Sequence, residues 1–372
     1  MRNRLHALCP YFAMFPESFV EEYVLRHTKE GDYVFDPFSG RGTTVLQSLL
    51  MGRKALATDI NPVAYCISAA KADVPSLESV LEEIDELDRC YQNCHQGRLR
   101  DERRSLPAYF GRAFHYATLE QLLFLRRVLD WRGNTVQRFI AALALGTLHG
   151  EMDGSSRYLS NQMPRTISPK PAYSLRYWRS HGLWPKKKDV FDRLRNESSF
   201  RLSAELPRGR GVVVFADARD ASKKLRSLEG KVAAVITSPP YFNVTDCAED
   251  QWLRLWFLGH EPRPTYGRIS RDDRHENKEG YWQFLCEAWA GIRDLLRPSA
   301  TLVCRLGGTR MDEAELTQGL LQSVRRAFPA SGLIHTPIRT ELRKRQTPAF
   351  RPGSVGCGFE VDYVFNLGAH AW

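Results

Sequence analysis

Short apolar runs bounded by turn residues recur along both ends of the chain: Tyr33-Val34-Phe35-Asp36, Lys54-Ala55-Leu56-Ala57-Thr58, Val212-Val213-Val214-Phe215, Val232-Ala233-Ala234-Val235-Ile236 and Thr301-Leu302-Val303-Cys304-Arg305-Leu306. Runs of this length read as strands of a parallel sheet, and Val232–Ile236 as a buried one. Helical periodicities separate them, over Ser18–Leu25, Val45–Leu50, 63–75, Glu249–Leu258 and Tyr281–Leu296. Leu333 to Leu342 and Phe359 to Leu367 can pair as terminal strands. The pattern predicts an α/β fold, a doubly wound and mostly parallel sheet.

From about 76 to 207 the strand runs stop. Leu77, Val80, Leu81, Ile84 and Leu87 recur at helical spacing among acids, as do Leu119, Leu122, Leu123, Leu125 and Val128, and Phe139 to Leu148 is apolar nearly all round. Three regions follow: 1–75, a helical and loop-rich insertion over 76–207, and 208–372. The end of the insertion is basic. From Pro164 to Arg210 there are 12 Lys/Arg against 4 Asp/Glu, with Tyr173, Tyr177, Trp178 and Trp184 between the charges. Cations neutralise phosphates while flat side chains pack on sugars or bases, so Arg157, Lys170, Arg176, Arg179, Lys186, Lys187 and Lys188 are candidate nucleic-acid contacts. The ordinary alternative is a solvated surface loop with structural aromatics.

Two strand ends carry candidate chemistry. Asp36-Pro37-Phe38-Ser39-Gly40-Arg41-Gly42-Thr43-Thr44 is a glycine turn between the first strand and a helix. Such a turn lets backbone approach a ligand where a Cβ would collide. It lacks the Lys-Ser/Thr of a phosphate-binding Walker loop, and GxGxxG is absent. Asp59-Ile60-Asn61-Pro62 ends the second strand at the spacing expected of an acid that takes ribose hydroxyls, though Asp59 also suits a helix cap. Further on, Ser238-Pro239-Pro240-Tyr241 follows the run ending at Ile236. Two prolines stiffen this turn and remove N–H donors, so its carbonyls are expected to point outward without internal partners. A small hydroxyl, free carbonyls and an aromatic ring suit a flat heterocycle bearing an exocyclic amine.

In this order the motifs resemble the amino-methylating DNA methyltransferases, which modify N4 of cytosine or N6 of adenine. Phe38-Ser39-Gly40-Arg41-Gly42 looks like the family's FxGxG cofactor motif, Asp59 its ribose-binding acid and Ser238-Pro239-Pro240-Tyr241 its catalytic [DNS]PP[YFW] tetrapeptide. The serine form is more typical of the N4-cytosine branch. The resemblance covers about 1–75 and 205–367. It implies a class I S-adenosylmethionine-dependent fold with an antiparallel C-terminal strand. It also implies a cofactor site of Phe15, Asp36, Phe38, Ser39, Gly40, Gly42, Thr43, Asp59, Ile60 and Asp217, with Asp217 near the adenine or ribose. Ser238 and the Pro239 carbonyl would hold the target amine, Tyr241 would stack on a flipped base of double-stranded DNA, and no metal ion would be required. The insertion would recognise the target, although it precedes Asp217 instead of following it. Adenine-N6 methylation, RNA methylation and a non-catalytic DNA-binding subunit are the alternatives, and a cognate restriction endonuclease is an implied partner.

The 372 residues carry a formal net charge of +10, which suits a polyanionic partner without identifying one. Eight cysteines are scattered. The nearest cluster, Cys90, Cys94 and His95, lacks a second ligand pair and reads as a helical face of shielded thiols. With no long apolar run at the start or elsewhere, a reduced, cytoplasmic, soluble protein is expected.

Overall fold

The computed structural model describes residues 3–11, 15–150, 152, 157–164, 168–242, 247–264, 277–308, 310–342 and 357–368. Its described strands are β1 (Tyr33–Asp36), β2 (Lys54–Asp59), β3 (Val212–Phe215), β4 (Val232–Thr237), β5 (Leu296–Gly308), β6 (Gly332–Leu333), β7 (Ile338–Glu341) and β8 (Phe359–Asn366). They form one sheet in the order β3-β2-β1-β4-β5-β8-β6, with β7 also on β8. The first five are parallel, and β8 runs antiparallel to β5, β6 and β7. This is an α/β, doubly wound and mostly parallel arrangement. Strand order reverses between β1 and β4, and in such sheets the ligand crevice lies beyond the carboxyl ends at that point.

The helices are α1 (Glu17–His27), α2 (Thr43–Leu50), α3 (Pro62–Ala72), α4 (Leu77–Asn93), α5 (Gly97–Ser105), α6 (Ala108–Ala113), α7 (Tyr116–Val128), α8 (Thr135–Thr147), α9 (Pro171–Ser180), α10 (Val190–Leu202), α11 (Ala221–Lys224), α12 (Cys247–Asp250), α13 (Trp252–Phe257), α14 (Lys278–Gly291) and α15 (Glu313–Ala327). The period-2 geometry of the strands sorts them into two layers. Val34, Ala234, Ile236, Val303 and Val364 pack with Phe19, Val20, Tyr23 and Val24 of α1. Their strand neighbours Phe35, Val235, Leu302 and Cys304 face the other way, onto Phe284, Leu285 and Trp289 of α14 and Leu316, Leu320 and Val324 of α15. Because both faces are covered, β4 is buried throughout, which explains its unbroken apolar run.

Helices α4 to α10 enter between β2 and β3, as the sequence pattern predicts. Their core is continuous with the rest of the protein: Leu5, Leu8 and Tyr11, Val63 and Ile67 of α3, Phe139 to Leu145 of α8, Phe191 of α10 and Trp252 and Trp256 of α13 form one apolar cluster. Hydrogen bonds from Asn3 to the Glu205 carbonyl and from Arg201 to the Arg4 carbonyl bind the insertion to the chain's start.

Three elements differ from their sequence reading. The basic stretch contains helix α9, started by Pro171 at a position where a missing N–H costs nothing. Glu249 to Leu258 forms two short helices instead of one amphipathic helix, and all six residues of α13 are buried. Among them Arg254 is satisfied by the Leu145 carbonyl at 3.1 Å and Gln251 Oε1 at 2.5 Å. The third change is at Arg297-Pro298, expected to end a helix: α14 stops at Gly291 and both residues lie inside the long strand β5. Cys90 also departs from expectation. It is exposed, because α4 buries Val80, Ile84, Leu87 and Tyr91 and leaves that thiol off the apolar stripe.

Candidate active site

The glycine loop is built to bring backbone close to a ligand. Gly40 and Gly42 have φ of +52° and +72°, which β-carbons disfavour. At Gly42 a Cβ would also lie 2.9 Å from Cα of Ser68, so α2 begins tight against α3. Buried side chains fix the rest. Ser39 donates to Ser68 Oγ (2.5 Å), Ser68 donates to the Gly40 carbonyl (3.0 Å), and the fully buried Lys71 donates to the Arg41 carbonyl (2.6 Å). Arg41 turns inward, donating to the Phe15 carbonyl and to Thr43 Oγ1.

Asp59 connects the two strand ends. Its Oδ2 accepts from Gly40 N (2.8 Å) and its Oδ1 from Asn61 N (2.8 Å). The residue is only partly covered. Burial pushes its pKa up to about 7, against the lowering effect of the backbone N–H groups of Asn61, Gly40 and Ile60. Ile60 is 39% exposed at the same rim. Positive-φ glycines, a part-open carboxylate and an exposed apolar side chain fit the loop, ribose and adenine ends of S-adenosylmethionine.

A buried hydrogen bond joins this half to β4, the strand that leads into Ser238. Thr237 donates from Oγ1 to Asp36 Oδ1 at 2.6 Å, and Thr44 donates to the Ile236 carbonyl at 3.1 Å. Asp36 is fully buried, which raises its pKa to about 6 despite the bonds from Thr237 and Phe38 N. Ser238 follows directly and remains partly open. Ser238 Oγ donates to Tyr241 OH (3.2 Å), and Tyr241 OH donates to Glu360 Oε1 (3.0 Å). Behind them Arg305 of β5 makes a two-pronged pair with Asp362 of β8 (2.6 and 2.8 Å) and lies 3.4 Å from Glu360.

Several sequence-predicted residues take other positions. Tyr241 is not a free stacking platform: its ring is 7% exposed and lies where a Cβ on Gly307 would come within 2.4 Å. The Pro240 carbonyl is not without a partner, because Tyr281 donates to it at 3.1 Å. Phe15 packs against Phe19 in the core, so only its backbone meets the loop, through Arg41. Phe38 lies between Phe284 and Trp289. Asp217 caps its own turn and pairs with Arg219 at 2.6 Å.

The basic segment divides similarly. Lys170 pairs with Glu249 and Asp250, Arg157 with Glu197, and Lys188 donates to the Tyr158 carbonyl, with burial lowering its pKa. Their cationic groups have partners inside the protein. Arg176, Arg179, Lys186 and Lys187 are exposed, and Trp184 is 70% exposed with Arg112 stacked over it at 3.6 Å. Residues 155, 156 and 165–167 of this segment lie outside the described residues, as do 12–14 of the N-terminal turn. Sequence reasoning missed Thr237, Arg305, Glu360 and Asp362. Their only signal is polar residues inside otherwise apolar strands, a pattern that points to buried pairing.

The sheet and its loop define a doubly wound, Rossmann-like architecture. Residues 2–70, the span that carries the glycine loop, match the family model described as DNA methylase, N6_N4_Mtase. The type II methyltransferase M.MjaII of Methanocaldococcus jannaschii is 35% identical over 85 residues, 22% of this chain and 16% of that protein. The orphan methyltransferase M.BamHII of Bacillus amyloliquefaciens is 46% identical over 54 residues, 14% of this chain and 20% of that one. The chain thus spans a fifth or less of the length of these relatives. Among solved structures, TrmN from Thermus thermophilus aligns with TM-score 0.37 and 11% identity, over 97% of this chain and 51% of that one. Among the described residues no group of three or more His, Cys, Asp or Glu could hold a metal ion, and no helix is long and apolar enough to cross a membrane.

Proposed function

We propose that this protein is a site-specific DNA methyltransferase that moves the methyl group of S-adenosylmethionine to the exocyclic N4 of cytosine. The observation that carries the reading is the position of Ser238, open at the end of β4 and tied through Thr237 and Asp36 to the strand that bears the glycine loop. The cofactor supplies an electrophilic methyl on a sulfonium. Gly40, Gly42, Thr43, Asp59 and Ile60 would hold it, with the loop braced by the Phe15 carbonyl, which accepts from Arg41.

An aromatic amine is a poor nucleophile because its lone pair is delocalised into the ring. Hydrogen bonds from its two N–H groups to Ser238 Oγ and the Pro239 carbonyl favour a pyramidal nitrogen and localise that pair. The same acceptors stabilise the positive charge that develops at nitrogen. Pro240 and Tyr241 keep the turn rigid, the first by its bond from Tyr281 and the second by its packing on Gly307. A base in duplex DNA reaches this turn only by leaving the stack. Arg176, Arg179, Lys186 and Lys187 supply an exposed basic face for the backbone, and Trp184 a flat one. The serine at 238 favours cytosine-N4 over adenine-N6. The relatives' names, a type II and an orphan methyltransferase, support DNA methylation with or without a cognate nuclease.

The test is transfer of a labelled methyl group from S-adenosylmethionine to unmethylated DNA, together with trapping on DNA carrying 5-fluorocytosine. Direct transfer predicts label in DNA and no covalent protein–DNA adduct. An adduct stable on a denaturing gel would mean attack at C6 and would overturn the role of Ser238 as amine acceptor.

A further inference from the structure

Methylating an amine releases a proton, and a serine in the first position of the catalytic turn is no base at neutral pH. The structure provides a path away from it. Ser238 Oγ donates to Tyr241 OH at 3.2 Å and Tyr241 OH donates to Glu360 Oε1 at 3.0 Å, both in the same direction, away from the open face of Ser238. We propose that Glu360 is the terminal proton acceptor of the methyl-transfer site, reached through the hydroxyls of Ser238 and Tyr241; this rests on the function proposed above.

The step balances as follows. The amine lone pair forms the N–CH₃ bond as the C–S pair returns to sulfur, leaving a neutral thioether and a cationic nitrogen. That nitrogen gives a proton to Ser238 Oγ, Ser238 passes its own to Tyr241, and Tyr241 passes its own to Glu360. The carboxylate becomes a carboxylic acid, and solvent removes the proton in the next cycle.

The surroundings of Glu360 suit an acceptor. Arg305 is the cation facing it, at 3.4 Å, but that guanidinium is already matched by Asp362 through two shorter bonds. Glu360 is therefore the surplus acid of the group, and protonating it neutralises the cluster. Tyr241, Asp362 and the Cys357 thiol are the other titratable groups that face it. Burial holds its pKa above the ordinary glutamate range, opposed by Arg305 and by the bond from Tyr241, while Asp362 raises it further. Partners on β5, on β8 and in the catalytic turn all meet at this one side chain.

The test compares wild type, Glu360→Gln and Tyr241→Phe, as full chains, on unmethylated plasmid DNA with labelled S-adenosylmethionine. Glu360→Gln keeps an acceptor for Tyr241 but takes no proton, and Tyr241→Phe keeps the ring but cuts the path. Loss of positioned proton transfer lowers the rate on the order of 100-fold in either variant, with calorimetric affinity for the cofactor unchanged. The wild-type rate falls as pH drops through the pKa of Glu360, and Glu360→Gln lacks that limb. A second readout needs neither cofactor nor DNA. Infrared titration of the free protein should show a carboxyl band titrating above the ordinary glutamate range, absent in Glu360→Gln and moved upward in Tyr241→Phe, which loses a bond favouring the charged form. A Glu360→Gln protein with wild-type rate and an intact acidic limb would overturn the proposal. If wild type labels no DNA, the proposed function falls. The infrared arm then still decides: a band linked to Tyr241 supports the acceptor, and an ordinary, unlinked carboxyl removes it.

Discussion

In the glycine loop, polar side chains are committed to partners inside the protein: Ser39 to Ser68, Arg41 to Thr43 and the Phe15 carbonyl, and Lys71 to the Arg41 carbonyl. The segment from 170 to 190 does both things at once. It commits Lys170 and Lys188 inward and turns Arg176, Arg179, Lys186 and Lys187 toward solvent. The first region holds one backbone shape, for which residue identity at each position matters. In the second, charge and exposure matter, and any of several residues can supply them. Substitutions should therefore act in opposite ways in the two regions.

The largest expected effect separates two tryptophans of the second region. Trp178 is fully buried and donates from Nε1 to the Gln162 carbonyl, so Trp178→Ala should cost about 3–5 kcal/mol of stability in denaturant unfolding. Trp184→Ala should leave unfolding unchanged and weaken DNA binding by about 1–3 kcal/mol if its exposed ring stacks on a base. Equal stability losses in both would show that Trp184 belongs to the core.

Next comes Ser238→Ala, expected to lower the transfer rate on the order of 100-fold by removing one transition-state acceptor. Cofactor affinity by calorimetry should not move. An affinity loss of the same size as the rate loss would place Ser238 in the cofactor pocket instead.

Asp59→Ala should weaken S-adenosylmethionine binding by about 1.5–3 kcal/mol per charge-assisted bond lost. It should also loosen the loop, because Gly40 N loses its acceptor. The same acid gives a pH dependence. Asp59 at about 7 and Asp36 at about 6 bind protons in the folded protein at pH values where the unfolded chain has released them. Their contribution to stability is thus complete below about pH 4 and is lost as pH rises through about 6 to 7. Scanning calorimetry of the cofactor-free protein should show that loss between about pH 4 and 7, and Asp36→Asn should flatten it. A melting temperature that rises over that interval by the same route in both proteins would contradict the assignment.

The smallest effect concerns salt. Neutralising Lys186 and Lys187 should flatten the salt dependence of DNA binding by up to about 0.9 per lost phosphate contact. Lys188→Gln should leave that slope alone and lower stability, since its ammonium holds the Tyr158 carbonyl. Unchanged affinity and slope in the Lys186/Lys187 variant would make those lysines merely solvated.

How far the sequence discloses each region follows from the same contrast. The sheet was legible because both faces of β1, β2, β4 and β5 are covered, so their apolar runs are nearly continuous. Gly40, Gly42 and Asp59 were legible because only certain residues suit a positive φ or a strand-end acceptor. Helix α9 was hidden in a segment whose composition reads as loop. The partners of Lys170 and Arg157 lie 79 and 40 positions away in the chain, a distance that no local pattern spans. Glu360 was missed for the same reason: its link to Tyr241 crosses 119 residues.

The most direct measurement is the nucleoside composition of DNA after incubation with the protein and S-adenosylmethionine. Complete digestion followed by mass analysis should yield N4-methylcytosine with wild type and almost none with Ser238→Ala. N6-methyladenine in its place would contradict the cytosine assignment. No methylated nucleoside, from a protein shown by calorimetry to bind the cofactor, would contradict the account of the crevice as a methyl-transfer site on DNA.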